Sequence, residues 1–338
     1  MQAVVLDAPR TLRLRERPEP EPGPGEVVIR IAGVGICGTD LGIFAGRVPV
    51  RHPLVLGHEM TGAVASTGSP WPAGTRVVVD PHVYCGSCYQ CGRGQSNVCA
   101  RAELIGRERD GAFTELLAVP ERNVYELPPG VDERLAPLIQ VVAVCVHSQR
   151  QTQIFPQESV LVFGLGVTGL LHVQLAKARG AAPVVGVTRS PAKRALAERL
   201  GADVTLDAAD AGLDDAVRAA TGGRGPDVVI ECVGKVETLA RCIELVRVGG
   251  RITLFGTVTA TEGALPFYQL YYKEIAIANP RSAKPEDFPD SISLVASGAL
   301  DLTPLVTHAF PLRSAEEALL VSARSDSLKV FLEVEGAT

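Results

Sequence analysis

The 338-residue sequence has only two methionines, one tryptophan and six lysines beside 27 arginines. No apolar stretch in it is long enough to span a bilayer. Its opening, MQAVVLDAPR, lacks the basic segment followed by an apolar one that marks a secretory leader. Positive charge is not in excess either: the net charge is -5 and the pI about 5.8, which excludes the overall basic field that holds nucleic acid or an anionic membrane. Internal repeats, heptads and low-complexity tracts are also missing. These absences predict a soluble, cytoplasmic protein that works on small molecules, with no nucleic-acid and no membrane partner. The arginine bias reflects base composition or growth temperature and carries no chemistry.

Hydrophobic residues make up 46% of the chain, enough for sizeable cores, and the length suits two domains. Residues 1–140 are dominated by short β-branched segments broken by Gly and Pro, such as EVVIRIAGVGIC and GTRVVVDP, the pattern of a mainly antiparallel β-domain. Over residues 141–279 apolar runs of five or six alternate with helical stretches, as in SVLVFG, VTGLLHVQLAKARG, PVVGVT and PAKRALAERLGA. That alternation marks βαβ units around a buried parallel sheet. Residues 280–338 mix short strands with a helix and are expected to return to the first domain. The fold class is α/β with two dissimilar domains.

Eight cysteines in a cytosolic chain argue for metal or redox chemistry before disulfides, because the cytosol keeps thiols reduced. Cys85, Cys88, Cys91 and Cys99 follow a C-x2-C-x2-C-x7-C spacing. Four thiolates close a tetrahedral shell and leave no open position, as in structural zinc sites; free thiols and an iron–sulfur cluster are the alternatives. Cys145, Cys232 and Cys242 read as core. Two further segments, GICGTD and LGHE, supply Cys37, His58 and Glu59.

Together these motifs resemble the zinc-dependent medium-chain dehydrogenase/reductase family of alcohol, polyol and threonine dehydrogenases, over nearly the whole chain. The resemblance implies a GroES-like catalytic domain, a doubly wound Rossmann domain, and a homodimer or homotetramer. It places a catalytic zinc on Cys37 and His58, with Glu59 able to approach, Thr39 relaying the substrate proton and Asp40 orienting the His58 imidazole. A zinc with one open position supplies the alkoxide character that hydride loss from an alcohol requires. Relatives often continue the relay through a histidine three residues after the hydroxyl, where this chain has Gly42. Gln140, in the apolar run PLIQVVAVCVH, falls where relatives carry the third zinc-site residue, a cysteine or a glutamate. Either it or Glu59 completes the shell; a plain helix glutamine is the other reading.

Gly164, Gly166 and Gly169 form G-x-G-x-x-G between an expected strand and helix, the dinucleotide-binding fingerprint. An acidic residue about 20 positions on would bond the ribose hydroxyls of NAD. Here that position is Thr188, followed by Arg189, Ser190, Lys193 and Arg194. The missing carboxylate and the basic cluster favour NADP over NAD. The expected activity is hydride transfer between NADP and a secondary alcohol, polyol or amino alcohol, or the corresponding ketone. A zinc-free quinone or enone reductase of the same superfamily, and a nucleotide-binding protein without activity, remain as alternatives.

Overall fold

The computed structural model describes residues 1–65 and 70–334. The chain divides into two compact units. One comprises residues 1–143, 282–298 and 302 onward; the other comprises residues 144–281 and 299–301. The first division falls inside the helix Leu138–Thr152.

In the first unit a seven-stranded sheet runs Val124–Glu126, Arg76–Val79, Glu59–Val64, Glu26–Gly35, Lys329–Glu333, Val306–Pro311, with Leu116–Pro120 also pairing with Glu26–Gly35. All contacts but the last in the row are antiparallel. The β-branched residues of these strands supply its core: Val27, Ile29, Ile31, Val34, Val77 and Val79 are all buried. The register of the central strands positions the site. Gly35 pairs with Glu59 on one side and with Phe331 on the other, so the C-terminal strand lies against the segment that leads into Cys37. A Cβ at residue 35 would stand 2.1 Å from a carboxylate oxygen of Glu59, so a larger residue there would have to displace that carboxylate.

The second unit holds a six-stranded, all-parallel sheet ordered Val204–Asp207, Val184–Thr188, Val160–Phe163, Val228–Glu231, Arg251–Leu254, Ala276–Ala278. This is the 3-2-1-4-5-6 order of a doubly wound sheet, which switches direction beside Val160–Phe163. Val160 to Phe163 and Val228 to Glu231 are buried throughout, as strands covered on both faces must be. Among the described residues, no helix is long and apolar enough to cross a membrane.

Candidate active site and zinc centres

Two short antiparallel strands, His82–Val83 and Glu103–Leu104, close the loop that carries four cysteines. Its sulfurs lie close together, with Cys85–Cys91 at 4.0 Å, Cys88–Cys91 at 3.5 Å, Cys88–Cys99 at 3.8 Å and Cys85–Cys99 at 3.5 Å. A zinc ion at about 2.3 Å from each of four sulfurs sets them about 3.8 Å apart, so these donors fit the ion as they stand. The backbone N–H of Ser87 leads the effects that draw the Cys85 thiol down to about 5, while desolvation lifts that of Cys91 to about 11. Four thiolates this close repel one another unless a cation sits among them. The backbone N–H groups of Cys85 and Arg101 donate to Cys99 Sγ at 3.4 and 3.3 Å, and the Arg101 guanidinium donates to Cys85 Sγ at 3.3 Å. All three stabilise negative sulfur.

Cys37 caps the helix Gly38–Phe44, and Asp40 on that helix is fully buried. Asp40 ties three segments together. Its carboxylate accepts from the Cys37 N–H at 2.9 Å and the Gly57 N–H at 3.2 Å, and lies 3.4 Å from His58 Nδ1. The His58 contact is within ion-pair reach but outside hydrogen-bond geometry. With Nδ1 turned to Asp40, Nε2 is the nitrogen left for a metal. Ligand atoms of Cys37, His58 and Glu59 lie within 4.8 Å of one another. Burial disfavours the imidazolium, yet Asp40 and Cys37 outweigh it and hold the His58 pKa well above its ordinary value. The site therefore attracts positive charge.

Lys329 also enters this site. Its Nζ donates to both carboxylate oxygens of Glu59, at 2.8 and 2.7 Å, and to the Ile36 carbonyl at 3.1 Å, with both side chains buried. Lys329 cancels the charge of Glu59. Ligated to a metal, His58 would be neutral and Cys37 a thiolate, so that with Asp40 the site would present about two negative charges, which a divalent cation balances. The donor set fits zinc. Glu59 can join the ion only by giving up part of its pairing with Lys329. Thr39, half-buried, has its Oγ1 4.0 Å from Cys37 Sγ. Gln140 is half-buried in the first turn of Leu138–Thr152, in the same unit as Cys37 and His58. Gly42 is buried, and a Cβ there would meet Val48 at 2.9 Å, so this chain has no room for a relaying side chain at that position.

In the second unit Gly164 ends the first strand with φ +98°, and Gly166 caps the helix Val167–Ala178. Gly169 is required by packing, since a Cβ there would lie 1.9 Å from the Gly164 carbonyl oxygen. Gly166 is different: its φ is -76° and a Cβ would meet nothing. Among the described residues nothing crowds that position, which leaves room for a group to approach the helix N-terminus closely. Gly166 has no side chain with which to cap that helix, so its N-cap makes no side-chain hydrogen bond to the first turn. Thr188 ends the second strand and Arg189 beside it is exposed. Ser190 caps the helix Pro191–Arg199 by accepting from the Lys193 N–H at 3.4 Å. Arg194 donates to the carbonyls of Thr188 and Arg189 at 3.0 and 3.3 Å and pairs with Asp207 at 3.0 Å.

Two family profiles match the chain: an alcohol dehydrogenase GroES-like domain over residues 23–129 and a zinc-binding dehydrogenase over residues 167–297. L-galactonate-5-dehydrogenase of Escherichia coli strain K12 is 36% identical over 324 residues, 94% of each chain. The chain belongs to the zinc-binding alcohol dehydrogenase family. Sorbitol dehydrogenase of Halalkalibacterium halodurans is 31% identical over 312 residues, 91% of each chain. A zinc-binding dehydrogenase of Sinorhizobium meliloti 1021, solved bound to NADP, superposes with a TM-score of 0.93 at 31% identity over 98% of each chain.

Membership makes the protein an NAD(P)-dependent enzyme of the alcohol dehydrogenase type. Sequence reasoning missed Lys329 and Asp207. Lys329, one of only six lysines, stands in the apolar segment LKVFLEV, and a lysine in a buried strand is a signal that it has a partner. Asp207 ends the third strand of the parallel sheet, beside the position at which the dinucleotide fingerprint calls for an acidic residue.

Proposed function

We propose that this enzyme oxidises a secondary hydroxyl of a polyol or sugar acid, or reduces the matching ketone, using a catalytic zinc and preferring NADP. The observation that carries this reading is the convergence of Cys37, His58 and Glu59 within 4.8 Å above a carboxylate, Asp40, that is wholly buried. Cys37 and His58 would hold the zinc, which would supply the Lewis acidity that lowers the pKa of an alcohol hydroxyl, and a bound NADP would supply the hydride acceptor. Asp40 fixes the His58 ring and the Cys37 backbone. Gln140 completes the zinc shell with a neutral amide oxygen, so the site carries less ligand charge than one built from two thiolates. Thr39 Oγ1 takes the substrate proton and passes it outward, and its next carrier is not residue 42, where there is no side chain.

At the nucleotide, the first turn of Val167–Ala178 binds the pyrophosphate and Arg189 pairs with the 2′-phosphate. Thr188 presents no carboxylate to repel it. The substrate class is supported by the relatives named for sorbitol and L-galactonate, both of which carry secondary hydroxyls in an open polyol chain. A homodimer or homotetramer in the cytoplasm completes the reading.

Elemental analysis of protein purified without chelator, together with a panel of sugar alcohols, sugar acids, simple secondary alcohols and amino alcohols offered with NADP and with NAD, tests it. Two zincs per chain and NADP-linked turnover of a polyol or sugar acid are expected. One zinc with no turnover overturns the catalytic assignment, and turnover confined to amino alcohols overturns the substrate class.

A further inference from the structure

The parallel sheet puts Asp207 directly across from Thr188: the two are register partners at the ends of adjacent strands. Thr188 occupies the position from which an acidic residue would bond the adenosine ribose. The carboxylate is therefore not absent from this corner but carried one strand further out. There it pairs with Arg194, Nη1 to Oδ2 at 3.0 Å, while the same guanidinium nitrogen donates to the Thr188 carbonyl at 3.0 Å. The Ala209 N–H, then Arg194 and Arg189, hold the Asp207 carboxyl below the usual carboxylate range. Both of these cationic side chains, set where a 2′-phosphate would lie, thus act on one fixed anion.

We propose that Asp207 is a specificity-determining residue for the cofactor: its carboxylate competes with the 2′-phosphate of NADP for Arg194, and so narrows the preference for NADP over NAD. A dianionic phosphate and a carboxylate that share one guanidinium repel each other, whereas the 2′-hydroxyl of NAD carries no charge and is indifferent to the pair. Arg194 is preorganised by its two carbonyl acceptors, so removing the carboxylate frees its charge without freeing the side chain. This inference rests on the reading of Arg189 and its neighbours as the 2′-phosphate site.

The test uses the full-length enzyme and measures dissociation constants for NADPH and NADH by cofactor fluorescence. Asp207→Asn is the informative variant, because its amide oxygen still accepts from the Ala209 N–H, which bonds Oδ1 at 2.9 Å in the native protein. NADPH should bind about three- to ten-fold more tightly to this variant while NADH changes by less than about two-fold. In an Arg194→Met background the same substitution should no longer move the NADPH/NADH ratio. An unchanged ratio in Asp207→Asn, weaker NADPH binding, or a shift that persists in full without Arg194 overturns the competition. Arg189→Ala separates this failure from that of the underlying reading: if it weakens both cofactors equally, the 2′-phosphate site is not there at all. If it weakens NADPH alone while Asp207→Asn does nothing, the site stands and only the role of Asp207 falls.

Discussion

Lys329 and Glu59, 270 residues apart in the chain, form a buried ion pair in which the ammonium nitrogen meets both carboxylate oxygens, at 2.8 and 2.7 Å. Side-chain exposure is 7% for the lysine and 2% for the glutamate, so neither charge has water to fall back on. The pair joins the C-terminal strand to the candidate metal site. Burial works against the ammonium, but Glu59, Cys37 and Asp40 together raise the Lys329 pKa above its ordinary value.

Breaking this pair should be costly in a way that depends on which partner is left. Lys329→Met strands a buried carboxylate and should destabilise the protein by about 3 to 5 kcal/mol. The double variant Lys329→Met/Glu59→Gln strands no charge and should recover part of that loss. Urea melts of the two variants beside the native enzyme decide the matter. Equal destabilisation by both would mean that the lysine stem, and not its charge, holds the strand.

At the four-cysteine loop, Cys88→Ser should release one zinc per chain and lower the melting temperature, while the zinc at Cys37 and His58 stays in place. The reason is geometric. Three sulfurs and a weakly binding hydroxyl no longer match the tetrahedral preference of the ion. Metal content after gel filtration, read beside a thermal melt, gives the answer; a variant that keeps all its zinc refutes the four-sulfur shell.

Gln140→Glu should slow the loss of the catalytic zinc to a chelator, because a carboxylate adds ligand charge that the amide lacks. It should also raise the pKa seen in the pH profile of alcohol oxidation, since a more charged shell leaves the ion a weaker Lewis acid. Gln140→Ala should speed zinc loss. If both variants lose zinc at the native rate, the third ligand lies elsewhere.

His172 is wholly buried, receives the Gln149 amide at Nδ1, and has no hydrogen-bond partner at Nε2 among the described residues. Burial, and then the positive charge of Arg179, press its pKa from 6.5 down to about 3. The unfolded chain takes up a proton near pH 6.5 that the folded chain keeps out until about pH 3. This group's contribution to stability is thus complete above pH 6.5 and is lost as the pH falls through that window, by at most about 1.4 kcal/mol per pH unit. Urea midpoints between pH 4 and pH 8 should fall less steeply on acidification in His172→Asn than in the native enzyme. Parallel curves would assign the acid sensitivity to other groups.

Both fold types were legible in the chain because they depend on local periodicity. The alternation of apolar runs with helical stretches after residue 140 dictates a covered parallel sheet, and the glycines at 164, 166 and 169 mark its first turn by spacing alone. The clustering of the four cysteines was legible for the same reason, since they lie within fifteen residues of one another. Tertiary structure decided whatever depended on contact between distant segments. No local pattern connects Lys329 to Glu59: that contact exists because the last strand pairs antiparallel with Glu26–Gly35, and strand pairing across hundreds of residues leaves no spacing to read. Asp207 escaped for a related reason. The carboxylate expected at the end of one strand is supplied by its neighbour in the sheet, and which strands lie side by side is settled by packing rather than by any segment of the sequence.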